Sequence, residues 1–480
     1  MSKNLLLVFI IAFLIRLISI NQSLWLDEAT TARVVREFGF TQIVSGFSPN
    51  DFHPPLYYLF MKAWTNIFGY TEVALRFPSI LFSLLTGWLI YRICLLRASF
   101  AGVATKAEKS FGEPKWAAAF FLFNPLIVYY SQEARMYMMA TFLLTVSLYH
   151  LILLCHPELV SGSKIRSRIP TSPRLRWAGK FGMTKEILLF NIFSILSFAT
   201  FYGSIFLIVP MVFYLLYKKQ WKTFFVFLLL FTVTILILSP LLYQQLTKAK
   251  QQLRLVANWE QVLGTANLKN LLLIPLKFSV GRISFYPKWL YWAISLLWTA
   301  VVWFLALKGV LKNKFLMFLV ISTLGLGIIF SLFTPLLQYF RFLYLIPIIS
   351  LLLASGLSTL HLKGAKWIIL TVFLVFSFAY LLNPNFHRED WKSLAKSLPG
   401  NAKVYMIESS SDPIKYYDKD IKISDIRYLA KQKSPDKILY VIPYTADIHG
   451  VDYSKNLMEK KYKLIKQTAF SGIILERWKR

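Results

Sequence analysis

Long apolar segments separated by short polar and basic loops dominate this sequence. The first two cover residues 5–20 and 73–96, and the last covers residues 367–382. About twenty apolar residues are enough for a helix to cross the hydrocarbon core of a bilayer. The pattern therefore predicts an all-α polytopic membrane protein with about eleven transmembrane helices, which form a domain over residues 1–382.

The pattern changes after residue 382. Residues 383–480 alternate short apolar strands, such as 403–407 and 438–442, with polar segments that have helical character. Alternation of strand and helix over roughly ninety residues is typical of a small α/β domain. We predict a small soluble C-terminal α/β lobe outside the membrane.

Composition and charge support the membrane class and predict its orientation. The chain is 56% hydrophobic and 17% aromatic, and its net charge is +31. Lys and Arg lie mainly in short loops and in the tail, as positive-inside topology and contact with anionic membrane lipids require, so the charge is no sign of nucleic-acid binding. We predict a plasma-membrane protein with its N-terminus and a disordered insert, residues 156–185, in the cytoplasm, and with its C-terminus outside.

The first external loop, residues 21–72, carries the strongest chemical signal. Asp27 and Glu28 are adjacent, and Asp51 and His53 precede a Pro-Pro pair that opens an amphipathic interfacial helix. A carboxylate at the membrane surface could deprotonate an acceptor, and Asp27 is our candidate for that base. The alternative interpretation of Asp27 is a helix N-cap. In the interfacial helix, Leu56 and its neighbours at helical spacing form one apolar stripe.

Two arginines near external helix ends are candidates for binding phosphate. Arg135 lies in a tight turn with Glu133 and Tyr137, and Arg341 lies at the outer mouth of a late span. A guanidinium can bind phosphate oxygens bidentately, and we expect Tyr137 to line the same cavity. The alternatives are a local Glu133–Arg135 ion pair and an Arg341 side chain that extends to a lipid headgroup. Glu133 is also a candidate contact for the acceptor or a metal-binding loop.

Several blocks together resemble the polytopic glycosyltransferases of the C-type fold. They are similar to protein mannosyltransferase family 39 and to the bacterial lipopolysaccharide galacturonosyltransferase-like and aminoarabinose transferase-like proteins. The blocks are LWLDEA, DFHPPLYYLFMKAW, EVALRFPS, NPLIVYYSQEARMY and QYFRFLYLIP. They are scattered over residues 5–360, whereas the insert departs from the pattern and the tail matches only at HREDW.

The resemblance implies that a sugar is transferred, with inversion, from a polyprenyl-phosphate donor to a lipid, glycan or protein acceptor outside the membrane. The acid in the first loop of the family falls on Asp27, with Glu28 beside it, and the second loop position falls on Asp51 and His53. Some relatives bind a divalent metal ion in that loop. Asp51 and His53 could supply part of its coordination shell, and the metal requirement stays open.

Two other classes of protein are alternatives. A transporter or flippase of lipid-linked sugars would also use Arg and acidic residues in the membrane, but such proteins commonly show internal repeats and bind at the bilayer midplane. Here the charged residues gather at external helix ends, and no repeat is apparent in the sequence. A receptor whose tail binds ligand would leave the acids of the first loop unexplained.

Overall fold

A large helical domain carries a small mixed sheet at its C-terminal end. The computed structural model describes residues 3–98, 112–155, 173–360, 364–400, 402–431 and 437–480. The helices are α1 Lys3–Leu17, α2 Leu26–Glu37, α3 Phe40–Gln42, α4 Leu56–Phe68, α5 Glu72–Ala98, α6 Pro114–Leu122, α7 Pro125–Tyr130, α8 Tyr137–Cys155, α9 Pro173–Thr200, α10 Ile205–Tyr217, α11 Trp221–Leu255, α12 Trp259–Leu263, α13 Leu268–Val280, α14 Lys288–Val310, α15 Lys314–Ser331, α16 Ile346–Leu360, α17 Ala365–Leu382, α18 Trp391–Ser397, α19 Asp412–Tyr417 and α20 Tyr453–Glu459. The strands are β1 Lys403–Met406, β2 Lys422–Asp425, β3 Ile438–Val441, β4 Lys463–Phe470 and β5 Ile473–Lys479.

The predicted fold class is confirmed. Among the described residues, seven helices are long and apolar enough to cross a membrane: α5, α8, α11, α14, α15, α16 with the turn before it, and α17. Four further apolar helical segments accompany them, namely α1, the α6–α7 pair, α9 and α10. These segments follow one another along the chain in the predicted order, with the amphipathic helices of the first loop between α1 and α5.

Two predicted segments differ from the structure in their bounds. Residues 156–172 of the predicted insert lie outside the described residues, but α9 begins at Pro173, well before the predicted end of the insert at residue 185. The span predicted over residues 116–130 is broken between α6 and α7. Asn124 accepts hydrogen bonds from the backbone N–H groups of Leu126 and Ile127, and this cap with the following proline starts a new helix.

Close helix contacts hold the membrane domain together. The α14 and α16 helices touch at Gly309 and Gly356, where a Cβ on Gly356 would lie 1.8 Å from the carbonyl oxygen of Leu305. Glycine lets two backbones approach closely, and in a bilayer such packing replaces the hydrophobic effect as the main driving force for association. Substitution of either glycine would therefore push the two helices apart.

The α4 helix presents a different face to the protein from the one that its apolar stripe suggests. Its buried residues are Tyr57, Tyr58, Met61 and Thr65, whereas Ile67 and other members of the stripe are exposed. In a protein surrounded by lipid, the apolar face of an interfacial helix can face the membrane. The tyrosines of α4 are consequently directed into the protein.

The C-terminal lobe is one five-stranded sheet with short helices. Its strand order is β2-β1-β3-β5-β4, with β1 parallel to β2 and β3, and with β5 antiparallel to β3 and β4. Side chains alternate across a strand, so Val404 and Met406 contribute to one apolar core and Tyr405 to the other. Each face of the sheet therefore has its own small core.

The lobe packs directly on the first loop. The Arg33 guanidinium lies 2.8 Å from the Asp412 carboxylate, and the Lys392 ammonium lies 3.1 Å from the Glu72 carboxylate. The Tyr417 hydroxyl accepts a hydrogen bond of 2.8 Å from the backbone N–H of Leu24. The lobe and the first loop therefore lie on the same side of the helical domain, and the assignment of that side to the cell exterior stays a prediction.

Candidate active site

Arg135 is the centre of a group of polar side chains drawn from three distant parts of the chain. It lies in the turn between α7 and α8 and is almost fully buried. Its Nη2 atom lies 3.5 Å from Asp27 Oδ2 and 3.5 Å from His53 Nε2, while Nη1 lies 3.4 Å from the Tyr58 hydroxyl. The structure thus brings together the predicted base, the predicted phosphate ligand and the second acidic position of the first loop.

Asp51 and His53 form a pair next to this guanidinium. His53 Nδ1 lies 3.3 Å from both carboxylate oxygens of Asp51. Burial opposes ionisation of Asp51, but the adjacent His53 and Arg135 outweigh it and lower the pKa of Asp51 below its ordinary value. His53 therefore lies between a carboxylate on its Nδ1 side and a guanidinium on its Nε2 side.

Gln245 holds the loop that carries this pair. Its side-chain amide donates hydrogen bonds to the carbonyl oxygens of Ser48, at 2.8 Å, and His53, at 3.0 Å. Its own carbonyl oxygen accepts a bond from the Tyr202 hydroxyl. Gln245 belongs to α11, whose 35 residues span about 52 Å at a rise of roughly 1.5 Å per residue. A helix of this length extends beyond the hydrocarbon core and can therefore support the first loop.

The predicted metal position does not have the geometry of a metal site. Both ring nitrogens of His53 are engaged, one by Asp51 and the other by a guanidinium that would repel a cation. Within the described ranges, no group of three or more His, Cys, Asp or Glu side chains comes together in a way that could hold a metal ion. We therefore assign no step of the chemistry to a metal.

The two adjacent acids of the first loop have different environments. Asp27 is in the first turn of α2, and its side chain is 37% exposed. The N-cap of α2 is Trp25, so the interpretation of Asp27 as an N-cap is wrong. The Asp27 carboxylate touches Arg135 and remains accessible, which leaves it free to meet an acceptor.

Glu28 has a structural role. Its side chain is 1% exposed and forms a bidentate ion pair with Arg76 of α5, with N–O distances of 2.9 Å and 2.6 Å. The same carboxylate accepts a 2.7 Å bond from the backbone N–H of Ala134, in the turn that carries Arg135. A carboxylate with its oxygens occupied in this way is a poor base. The prediction that Glu28 shares the catalytic role is therefore corrected: it holds α2, α5 and the Arg135 turn together.

The alternative interpretation of Glu133 and Arg135 as a local ion pair does not hold, because the two side chains have different partners. Glu133 Oε1 lies 3.0 Å from Arg388 Nη2 and 3.9 Å from Arg282 Nη1. Burial, together with the charges of Glu28 and Asp27, raises the pKa of Glu133 to about 8. Glu133 is thus an electrostatic neighbour of the site rather than a partner of Arg135.

Two arginines of this cluster were missed in the sequence. Arg388 follows the last span, where its guanidinium carbon lies 3.7 Å from the centre of the Trp25 ring. Arg282 follows α13, donates to the Tyr129 hydroxyl and lies over the Tyr129 ring. The HREDW block carried a signal for Arg388, since a charged tripeptide directly after a span is unusual in a plain linker. Nothing in the pattern around Arg282 distinguishes it from the other arginines of the loops.

Arg341 has a different environment from Arg135. It lies in a 3-10 turn, Tyr339–Leu345, that precedes α16, so this part of the predicted span is not a regular helix. In the described part of the chain, its guanidinium has no hydrogen bond and no acidic partner within ion-pair distance. Its neighbour Phe340 packs on the Tyr137 ring with centroids 5.5 Å apart, and the Tyr137 hydroxyl is within electrostatic reach of both Arg341 and Arg135. Arg341 is therefore a cation available to an anionic ligand.

Among the described residues, several members of the candidate site carry buried polar atoms without a partner. Buried side-chain atoms without a hydrogen-bond partner include Trp25 Nε1, Tyr57 OH, Glu133 Oε2, Arg135 Nε and Glu389 Oε2. An unpaired buried polar group costs about 1–3 kcal/mol, so native proteins keep few of them without a reason. Arg135 Nε and Glu133 Oε2 belong to the turn at the centre of the candidate site, so a bound ligand there has polar atoms left to meet.

The architecture described above defines a polytopic membrane protein of the C-type glycosyltransferase fold. Two crystal structures of ArnT from Cupriavidus metallidurans align with almost the whole chain. The apo structure has a TM-score of 0.54 at 11% identity and covers 98% of this chain and 97% of its own. The structure bound to undecaprenyl phosphate has a TM-score of 0.52 at 12% identity, with coverages of 99% and 98%. At these identities the likeness shows the fold alone.

The family is defined by sequence. The profile of the family described as GPI transamidase subunit PIG-U matches residues 6–263, more than half of the 480 residues, and the chain belongs to that family. No curated protein matches the chain significantly. The matched range includes the first loop and Arg135 but neither Arg341 nor the lobe.

Proposed function

We propose that the protein is an inverting glycosyltransferase that moves a sugar from a polyprenyl-phosphate donor to a lipid, glycan or protein acceptor on the outer face of the membrane. The observation that carries this proposal is an accessible carboxylate, Asp27, in contact with Arg135, together with a second cation, Arg341, that has no ion-pair partner among the described residues and acts on the same Tyr137 hydroxyl as Arg135. One group can take a proton, and the other can stabilise a leaving phosphate. The ArnT structure bound to undecaprenyl phosphate supports this choice of donor, since it has the same fold.

The proposed reaction is a single displacement. An acceptor oxygen attacks the anomeric carbon from the side opposite the phosphate and forms the new C–O bond. The bond between that carbon and the phosphate oxygen breaks, and its electron pair leaves with the polyprenyl phosphate. The acceptor proton passes to Asp27, which Arg135 holds in place. Charge that develops on the phosphate is stabilised by Arg341, because charged donors fixed at such a position act most strongly in the transition state.

The alternative is recognition without transfer. The family name describes a subunit of a transamidase, so a protein of this family can serve another enzyme rather than catalyse a transfer itself. A flippase of lipid-linked sugars is a further alternative of the same kind. The accessible carboxylate of Asp27 beside a buried arginine favours transfer, because binding or transport of a lipid phosphate needs no base at that position.

The test is release of free polyprenyl phosphate by purified protein in detergent, with a panel of polyprenyl-phosphate sugars as donors. We expect release with at least one donor, a matching glycosylated product, and loss of release with Asp27→Asn. Saturable donor binding without release would support recognition alone. Movement of the intact donor across liposomes without release would support a flippase.

A further inference from the structure

The segment that joins the last span to the C-terminal lobe enters the candidate active site. Arg388 donates from Nη2, at 3.0 Å, and from Nε, at 3.3 Å, to the same oxygen of Glu133. Its guanidinium plane lies on the Trp25 ring, two residues before Asp27. Glu133 is two residues before Arg135. One side chain of the tail thus touches both segments that carry the central pair.

The position of Glu133 explains why this contact matters. Its carboxylate lies among other acids, and Arg388 is the only cation within hydrogen-bond distance of it in the described part of the chain. The nearby Arg135 is held by Asp27, His53 and Tyr58 through contacts of 3.4–3.5 Å, which are long for charged hydrogen bonds. Without Arg388, Glu133 would keep only the 3.9 Å contact with Arg282, and its carboxylate could then compete for Arg135 and draw it away from Asp27.

We propose that Arg388 is a positioning residue that occupies Glu133 and thereby keeps Arg135 on Asp27. The lobe is then part of the reaction centre rather than an appendage. The inference deepens the proposed function, and its test by turnover rests on that function. A displacement of about 1 Å at a reacting group can lower a rate about a hundredfold, so loss of Arg388 is expected to act on turnover more than on donor binding.

The pH dependence of the defect, which follows the charge of Glu133, distinguishes this positioning role from a purely structural one. The titratable and charged groups that face it are Asp27 and Glu28 of α2, Tyr57 of α4, Tyr129 and Tyr130 of α7, Tyr137 of α8, Arg282 after α13, Tyr339 before α16, Tyr380 of α17 and Arg388. A neutral Glu133 does not compete for Arg135. The defect of Arg388→Met should therefore be small at pH 6 and grow as the pH rises through the pKa of Glu133.

The experiment compares turnover and KM in full-length Arg388→Met, Arg388→Lys and the double variant Glu133→Gln, Arg388→Met. We expect kcat to fall about tenfold or more in Arg388→Met above pH 8, with KM changed little, and to recover in the double variant. Arg388→Lys should have an intermediate kcat. It keeps the positive charge but loses the two N–H donors to Glu133 and the contact of the guanidinium with the Trp25 ring. Lys392→Met is the matched control, because it removes another ion pair between the lobe and the helical domain. It should match the parent protein.

A second measurement is independent of activity. Backbone hydrogen exchange at residues 131–136 should increase in Arg388→Met and return towards the parent in the double variant, while Lys392→Met leaves it unchanged. Equal effects of Arg388→Met and Lys392→Met, or a double variant as impaired as the single one, would overturn the inference. A parent protein that releases no phosphate from any donor would instead refute the proposed function, and the exchange measurement would still decide the role of Arg388.

Discussion

The adjacent acids Asp27 and Glu28 allow a prediction in which two isosteric substitutions have opposite consequences. Asp27→Asn removes a carboxylate that is more than a third exposed and has a single 3.5 Å contact with Arg135. An ion pair of this kind contributes less than about 1 kcal/mol to stability. A positioned general base contributes roughly a hundredfold to ten-thousandfold to the rate, so turnover should fall at least about a hundredfold while the fold stays intact.

Glu28→Gln should have the reverse effect. The substitution leaves the buried Arg76 guanidinium without its counter-ion. It also places the amide N–H group of the new side chain against another hydrogen-bond donor, either Arg76 or the backbone N–H of Ala134. Removing one partner of a buried ion pair costs about 3–5 kcal/mol, which is a large part of the 5–15 kcal/mol that stabilises a typical domain. We expect a lower melting temperature and a lower yield of folded protein.

The two variants are compared in the same detergent. Thermal denaturation followed by intrinsic fluorescence reports stability, and release of polyprenyl phosphate per folded molecule reports turnover. A Glu28→Gln protein that melts like the parent but does not release phosphate, beside an active Asp27→Asn protein, would reverse the two roles. Full activity in both variants would remove the main chemical support for transfer.

Three further substitutions and one treatment test other parts of the structure. Gly356→Ala should destabilise the protein by about 1–3 kcal/mol, because its Cβ would meet the carbonyl oxygen of Leu305, whereas Gly325→Ala, with open space around it, should be tolerated in the same melting assay. Burial raises the pKa of Glu133 from 4.5 to about 8, so the folded protein holds this proton more tightly than the unfolded chain does. The stability that protonated Glu133 contributes is fully present below pH 4.5 and is lost as the pH rises through 8. Glu133→Gln should flatten that part of the stability curve, and a parent protein with no such slope would contradict the assignment. Arg341→Met should weaken binding of undecaprenyl phosphate, measured by titration, about tenfold or more, and unchanged binding would exclude it as a phosphate ligand. Treatment with a chelator should leave turnover unchanged, since His53 faces a guanidinium.

Much of the site was visible in the sequence because its residues stand out locally. Asp27, Asp51 and His53 lie in a polar loop between apolar spans, and Arg135 interrupts an apolar region, so each is costly unless it is used. The structure brings the three loop residues together around the guanidinium of Arg135. Their mutual distances were not predictable, since they depend on how α2, α4 and the α7–α8 turn pack.

The wrong interpretations of individual residues have one physical reason, which is that the partners of these residues lie far away along the chain. Glu28 resembles Asp27 in sequence, but its partner Arg76 is 48 residues away. The alternative pairing of Glu133 with Arg135 fails in the same way, because the partner of Glu133 is Arg388, 255 residues away.

The sequence by itself determined the membrane class, the order of the apolar helices, the separate lobe and the identity of the charged residues in the loops between the helices. Those features depend on local composition and on the thickness of a bilayer, both of which can be read from a single segment. The tertiary structure alone decided which charges are paired. A buried ion pair forms between whichever groups the packed segments bring within about 4 Å. The packing of α2 against α5 and the α7–α8 turn buries Glu28 on Arg76 and leaves Asp27 partly exposed, and the segment after α17 places Arg388 on Glu133.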